Sequence, residues 1–273
     1  MRDQYAVFGN PVDHSRSPMI HAAFAQQTQQ ALDYLSECVA MGDFSRCVTH
    51  FFSVGGRGAN VTVPFKLDAW DYADQLTSRA KAAGAVNTLS CLEDGTIRGD
   101  NTDGVGLVTD LLDNLRWPIR DRRVLMLGAG GAVRGVLAAL MAQQPKCLTI
   151  ANRTVEKAAA LAARFPQHAE VIGCGYNALE TQQFDLVING TSVSLAGGML
   201  SLPSSLLASQ DGCCYDMMYA AQPTGFMRWG QQCGAEISDG LGMLVEQAAE
   251  SFFVWRNTRP ETSAVIKHVR TAL

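Results

Sequence analysis

No apolar run in the chain approaches the length of a membrane span. The first five residues lead straight into a strand-like stretch at 5–8, without the long apolar segment of a signal peptide. The eight cysteines include no C-x-x-C pair, and no Cys/His set has zinc spacing. The adjacent Cys213 and Cys214 lie in a strand-like run, where neighbours face opposite ways, so no ordinary disulfide is expected between them. Reduced, packing cysteines are the expectation. Basic residues are not in excess: 22 Lys+Arg against 26 Asp+Glu give a formal net charge of −4. That disfavours a sequence-independent grip on nucleic acid, which needs a basic surface. Repeats, low-complexity tracts and charge runs are missing too. The expectation is a cytoplasmic protein with no membrane or nucleic-acid partner.

The 273 residues, 47% hydrophobic and 18% charged, have globular composition. The length suits two small domains and a core that needs no disulfide or metal staple. Strand-like and helix-like segments alternate throughout, which argues for α/β architecture with mostly parallel sheets and right-handed crossovers. Strands are expected at 5–8, 34–39, 60–63, 123–127, 148–151, 184–188, 213–217 and 235–238, with a hairpin over 85–98. Helices are expected at 18–27, with Ser17 as N-cap, and at 44–52, 66–71, 74–83, 104–114, 132–143, 155–164, 243–255 and 262–271. Residues 55–58 read as a glycine turn. A complete αβ unit precedes the glycine turn at 128–131. The expected domains are therefore 1–103 plus 240–273, with the C-terminal helices returning to the first domain, and 104–239. The cleft between two such domains is the default ligand site.

The strand at 123–127 runs into Gly128, Ala129, Gly130, Gly131 and Ala132 and then an apolar helix. Such a turn aims backbone N–H groups and a positive helix end at a diphosphate. The strict G-x-G-x-x-G spacing is not met, because position 133 is Val. An NAD site carries an acid at the end of the next strand. Here that strand ends in Asn152, Arg153 and Thr154, with Lys157 one turn on, which suits the 2′-phosphate of NADP. The second domain thus reads as Rossmann-type and NADP-binding.

Four further motifs are weak singly. GNPVDHSRSP at 9–18 brings Ser15 and Ser17 to the end of a strand, and reads on residue types alone as a helix cap plus a turn. GANVTVPFK at 58–66 puts Asn60 and Thr62 on one strand face, with Val61 and Val63 on the other. Lys66 then opens a helix, where the macrodipole disfavours its ammonium form; a proton-exchanging lysine and a snorkelling surface lysine fit equally. GAVNT at 84–88 and GDNTDG at 99–104 place Asn87 on the hairpin and Asp103 at a helix start, where it serves equally as a cap. DGLGMLVEQ at 239–247 sets two glycines before a helix that carries Gln247.

Together, in this order, with NRT at 152–154 and YDMMY at 215–219, these motifs resemble the shikimate dehydrogenase family over nearly the whole chain. The resemblance implies NADPH-dependent reduction of 3-dehydroshikimate to shikimate in aromatic amino acid (chorismate) biosynthesis. It implies that Lys66 and Asp103 form the acid–base pair, with Asp103 also binding a hydroxyl. Ser15 and Ser17 would bind the substrate carboxylate with Tyr219 nearby. Thr62, Asn87 and Gln247 would hold ring hydroxyls, supported by Asn60. Cofactor contacts are implied for the 128–132 turn, for Asn152, Arg153, Thr154 and Lys157, and for Thr191, Met217 and Gly240. No metal is implied, and the assembly is a monomer or homodimer. Val133, Lys157, Ser78 and the 191–194 stretch, where Ser194 replaces a glycine, depart from the usual pattern, which bears on cofactor affinity and not on the reaction. The alternatives are a quinate/shikimate paralogue with broader substrate or NAD use, another two-domain dehydrogenase, and a catalytically silent NADP-sensing regulator.

Overall fold

In the computed structural model, which describes residues 2–165, 170–191, 193, 201–208 and 212–273, the chain divides into two units. The first comprises Met1–Gly106 and Leu244–Ala272 and the second Leu107–Met243, with Leu273.

The first unit holds β1 (Asp3–Gly9), α1 (Ser17–Gln27), β2 (Leu32–Cys38), α2 (Phe44–Ser53), β3 (Gly56–Val61), α3 (Lys66–Tyr72), β4 (Gln75–Leu76), α4 (Ser78–Ala83), β5 (Thr88–Cys91) and β6 (Ile97–Asp100). Its strands form one sheet in the order β2-β1-β3-β5-β6-β4. β1 pairs parallel with β2 and β3, β4 pairs parallel with β6, and the β5–β6 hairpin is antiparallel to β3. Alternation along the strands splits the faces. Ala6, Phe8, Ala59 and Val61 join Phe44, Val48 and Phe65 in one apolar core. Asn60, between two of them, points to the opposite face, where it meets Tyr34 and Ser251.

Residues Leu107–Met243 hold β7 (Arg123–Leu127), α6 (Gly131–Ala142), β8 (Cys147–Ala151), α7 (Val155–Ala162), β9 (Glu170–Cys174), β10 (Leu186–Asn189), β11 (Cys213–Asp216), α8 (Gly225–Gln232) and β12 (Glu236–Asp239). All five strand pairs in this sheet are parallel, in the order β12-β11-β10-β7-β8-β9. Counted within the unit, this is the doubly wound order of dinucleotide-binding sheets. Both faces of the central strands are buried, as their apolar runs at 124–127 and 186–188 reflect. Val124, Met126, Ile150 and Ile188 pack on one side, and Leu125, Leu127, Ala151 and Val187 on the other. Cys213 packs on the first side and Cys214 in the second, and no disulfide joins any of the eight cysteines, all of which lie among the described residues. The unit boundaries fall inside α5 (Asp103–Thr109) and α9 (Leu241–Arg256), and α10 (Ser263–Thr271) completes the first unit.

Several sequence expectations are corrected. Ser17 is the first residue of α1, not its N-cap; Arg16 occupies that place without a side-chain cap. Gly56 and Gly58 belong to β3 and not to a turn. A Cβ on Gly56 would lie 2.3 Å from Phe51 Cε1, and one on Gly58 2.4 Å from Trp255 Nε1, so these glycines admit two aromatic rings. Val63 does not share the face of Val61, because the strand ends first and Val63 is exposed. The helix expected over 74–83 starts at Ser78, because Thr77 caps it through Ala80 N (3.2 Å) and residues 75–76 pair with β6. The helix expected over 104–114 continues beyond Thr109 as a π-helical turn, Asp110–Asn114. β9 and α8 were not expected. β9 is a short edge strand of five residues. α8 contains two glycines, and Thr224 starts it by accepting from Met227 N (3.2 Å). Among the described residues no helix is long and apolar enough to cross a membrane.

Candidate functional site

In the first unit, most of the singled-out side chains join one buried polar network. Lys66 is the first residue of α3 and Asp103 the first of α5. Lys66 Nζ lies 2.5 Å from Asp103 Oδ2, with the side chains 21% and 9% exposed. The macrodipole favours the carboxylate at such a place and opposes the ammonium, so each charge relies on the other. Removing either one would leave a partly buried charge uncompensated.

Asn87 immediately precedes β5 and is 2% exposed. Its Nδ2 donates to Asp103 Oδ1 (2.8 Å) and Thr102 Oγ1 (3.0 Å). Its Oδ1 accepts from Thr102 N (2.9 Å) and Thr88 Oγ1 (2.8 Å). Gln247 Oε1 completes the group, 3.4 Å from both Asn87 Nδ2 and Thr102 Oγ1. Asp103 is set locally: its N–H donates to Asn101 Oδ1 (3.1 Å), and Asn101 Nδ2 donates to Ala85 O (3.0 Å). Asp100 is fixed in turn by Arg79 and by Thr77 Oγ1 (2.6 Å). Burial opposes the Asp100 charge, but Arg79 and Thr77 hold its carboxyl below the usual range.

Asn60 has every amide proton engaged. Nδ2 donates to Ser251 Oγ (2.9 Å), Asn87 O (3.2 Å) and Thr88 Oγ1 (3.2 Å), while Oδ1 accepts from Tyr34 O–H (2.8 Å). Burial pushes the Tyr34 phenol well up, opposed by the nearby Ser17 side chain. Ser17 thus lies beside the network, and Ser15 Oγ accepts from Ser17 N (3.3 Å). Thr62, just after β3, is half-buried, and its methyl fills the space a Cβ on Gly9 would take. Tyr219 belongs to the second unit, in the loop after β11.

The second unit gathers the remaining residues at the carboxyl ends of its strands. Gly128 leaves β7 with φ +104°, a conformation that favours glycine, and its N–H donates to Ala151 O (2.8 Å). Gly130 caps the 12-residue α6, whose first-turn N–H groups have no intrahelical partner. Thr191 follows β10, where Thr191 Cγ2 would lie 3.1 Å from a Cβ on Gly128. β7 and β10 are adjacent, and strand order reverses there; ligands of open α/β sheets bind at such a switch point. Val133 is fully buried, and its Cγ2 occupies the place of a Cβ on Gly190, 2.3 Å away. The larger residue is thus accommodated by that glycine and stays off the exposed turn.

Asn189 orders the end of β10: its Oδ1 accepts from Thr191 Oγ1 (2.7 Å) and N (3.1 Å). Met217 N donates to Asn189 O (2.8 Å), and Gly240 packs so closely that its Cβ would lie 2.3 Å from Met217 O. At the end of β8, Asn152 Nδ2 donates to Thr154 O (2.9 Å). Arg153, Thr154 and Lys157 are exposed there, and the Thr154 hydroxyl does not cap α7. Residues 192 and 194 lie outside the described residues.

Sequence reasoning missed Tyr34, Thr102, Ser251 and His21. Thr102 stands inside the quoted 99–104 motif. Ser251 follows Gln247, and His21 follows Ser17, by four positions, the spacing that shares a helix face.

Three family models match this chain in succession: the shikimate dehydrogenase substrate binding domain over residues 7–89, shikimate/quinate 5-dehydrogenase over 111–196, and the shikimate 5′-dehydrogenase C-terminal domain over 240–270. The shikimate dehydrogenase (NADP+) of Cellvibrio japonicus is 54% identical over 100% of this chain and 99% of its own length. That of Methylococcus capsulatus is 54% identical over 97% and 95%. Among solved structures, an Ael1 enzyme from Pseudomonas putida is 45% identical with a TM-score of 0.92, covering 97% of both chains. Shikimate 5-dehydrogenase from Thermus thermophilus, in complex with NADP(H) and shikimate, is 30% identical with a TM-score of 0.88, covering 99% of this chain and 100% of that one. With relatives this similar over its whole length, the chain belongs to the shikimate dehydrogenase family.

Proposed function

We propose that the chain is an NADP-dependent oxidoreductase that reversibly reduces 3-dehydroshikimate to shikimate, in the biosynthesis of chorismate and the aromatic amino acids. The observation that carries this reading is the Lys66–Asp103 pair at 2.5 Å, bound to Asn87 inside a buried polar network. Relatives at 54% identity bear the corresponding name.

The residues present suit NADP. A Cβ on Gly130 or Gly131 would meet nothing within 4 Å, so the turn leaves room for a diphosphate against the first N–H groups of α6. Arg153 and Lys157 are exposed cations just after β8, and Asn152 stands directly after the strand where an NAD site would carry an acid. Gly128–Ala132 would hold the diphosphate, and Asn152, Arg153, Thr154 and Lys157 the 2′-phosphate. Thr191, Met217 and Gly240 would border the nicotinamide. NADPH, when bound, supplies the hydride.

Lys66 performs the proton half of the reaction. As the ketone becomes an alcohol, negative charge grows on its oxygen, and the Lys66 ammonium stabilises that charge and gives up a proton from Nζ. In the reverse direction the amine takes the hydroxyl proton. Asp103 Oδ2 orients the ammonium, while Oδ1 is held by Asn87, so the carboxylate cannot swing away. Asp103 also binds the neighbouring hydroxyl. Asn87, Thr62 and Gln247 bind ring hydroxyls, with Asn60 supporting Asn87. Ser15 and Ser17 bind the carboxylate. Substrate hydroxyls would replace weak contacts, such as those of Gln247 at 3.4 Å.

The test is nicotinamide reduction by the purified protein with shikimate or quinate, each with NADP+ or NAD+, beside Lys66→Ala. Turnover confined to shikimate with NADP+, and lost in the variant, is the expected result. Comparable rates with quinate or NAD+ would move the chain to a broader paralogue. NADPH binding without any turnover would make it a sensor.

A further inference from the structure

His21 has no part in the chemistry above, yet it is 1% exposed and neither ring nitrogen is hydrogen-bonded. Its contribution is therefore through the face of the ring. The imidazole lies flat on Tyr34, with centroids 4.1 Å apart and planes within 6°. Phe24, Phe252 and Trp255 close the box around it. Burial drives its pKa down to about 3, with Asn60 acting the other way, so the ring is neutral. Ser17, four residues earlier on α1, faces the same tyrosine. The Tyr34 hydroxyl gives its one proton to Asn60 Oδ1 (2.8 Å), with the Ser17 side chain nearby.

We propose that His21 is a positioning residue for substrate binding: by stacking on Tyr34 it holds the tyrosine hydroxyl on Asn60, beside Ser17, and so sets this end of the network for the substrate. The inference rests on the proposed reading, in which Ser17 meets the carboxylate and Asn60 supports Asn87. Without the stack the Tyr34 ring gains rotamer freedom, Asn60 loses its donor and Ser17 loses a fixed neighbour. The damage falls on substrate binding and leaves the cofactor turn untouched.

Steady-state kinetics with shikimate and NADP+ test this on the whole enzyme, using His21→Ala, His21→Phe, Tyr34→Phe and the His21→Ala/Tyr34→Phe double variant. His21→Ala is expected to raise KM for shikimate on the order of tenfold, the size of one lost charge-assisted hydrogen bond, with KM for NADP+ unchanged. His21→Phe keeps a stacking ring and restores KM. Tyr34→Phe keeps the stack, loses the hydroxyl and reproduces the defect, and the double variant is no worse than His21→Ala. An unchanged shikimate KM in His21→Ala, a failed rescue by His21→Phe, or additive effects in the double variant would overturn the proposal. If His21→Ala does not fold, Tyr34→Phe decides alone: a raised shikimate KM supports the proposal and a wild-type value overturns it. A wild-type enzyme inactive on shikimate would overturn the reading of function and this inference with it. An active wild type with an indifferent His21→Ala overturns this inference only.

Discussion

Acid should weaken the first unit through His21, by an amount the structure sets. The imidazole is 1% exposed, and burial lowers its pKa from 6.5 to about 3. Between those values the unfolded chain binds a proton there and the folded chain does not. A depressed folded pKa means that the contribution is fully present above pH 6.5 and is lost as pH falls towards 3. At ~1.36 kcal/mol per pH unit, the full effect is worth about 5 kcal/mol. By pH 5, roughly 2 kcal/mol of it is gone. Carboxylates also weaken the fold in acid, so the measured quantity must be a difference. His21→Phe keeps the aromatic box, removes the titrating group and leaves every carboxylate in place. Urea titrations at pH 7 and pH 5 would be followed by hydrogen-exchange mass spectrometry of peptides from α1. The wild type is expected to lose about 2 kcal/mol more than His21→Phe over that interval. Equal losses in the two proteins would show that the imidazole is protonated within the fold or open to water, and the stacked, neutral ring would be refuted.

Other perturbations read other parts of the molecule. Lys66→Ala should lower kcat by about 10² to 10⁴, the range for a general acid, with NADP+ affinity by fluorescence titration unchanged. A wild-type kcat would remove Lys66 from the proton transfer. Arg153→Ala with Lys157→Ala should weaken NADP+ on the order of tenfold or more and leave NAD+ alone; equal losses for the two cofactors would place the 2′-phosphate elsewhere. Gly190→Ala drives a methyl against Val133 Cγ2 at 2.3 Å, and overpacking of this kind costs about 1–3 kcal/mol. Adding Val133→Ala should recover most of that loss in urea unfolding; additive losses would show that the two positions do not share the space.

The αβ alternation and the glycine turn at 128–131 were legible because their signals are local. β7 is buried on both faces, so it appears as an unbroken apolar run at 124–127, and the turn after β7 needs a glycine at a positive φ. Where local signal was weak, the reading slipped. Gly56 and Gly58 resembled a turn because a glycine that admits a distant ring looks the same in sequence as one that bends the chain. α8 was missed because its two glycines lower helix propensity, whereas packing against Cys214 and the Thr224 cap sustain the helix.

The candidate site divides in the same way. Residue types and motif order sufficed to nominate Lys66, Asn87, Asp103 and Gln247. The sequence left Lys66 balanced between a surface lysine and a proton donor, and Asp103 between a cap and a reactant. The fold places them 2.5 Å apart although 37 positions separate them. Asn60 and Ser251, 191 positions apart, are bonded at 2.9 Å, and nothing near either residue announces the other. By itself, the sequence determined the alternation of strands and helices and the glycine turn after β7, since these depend on neighbours within about four positions. Only the tertiary structure decided which buried polar atoms satisfy one another, because an unpaired buried polar atom is costly and its partner can come from anywhere in the chain.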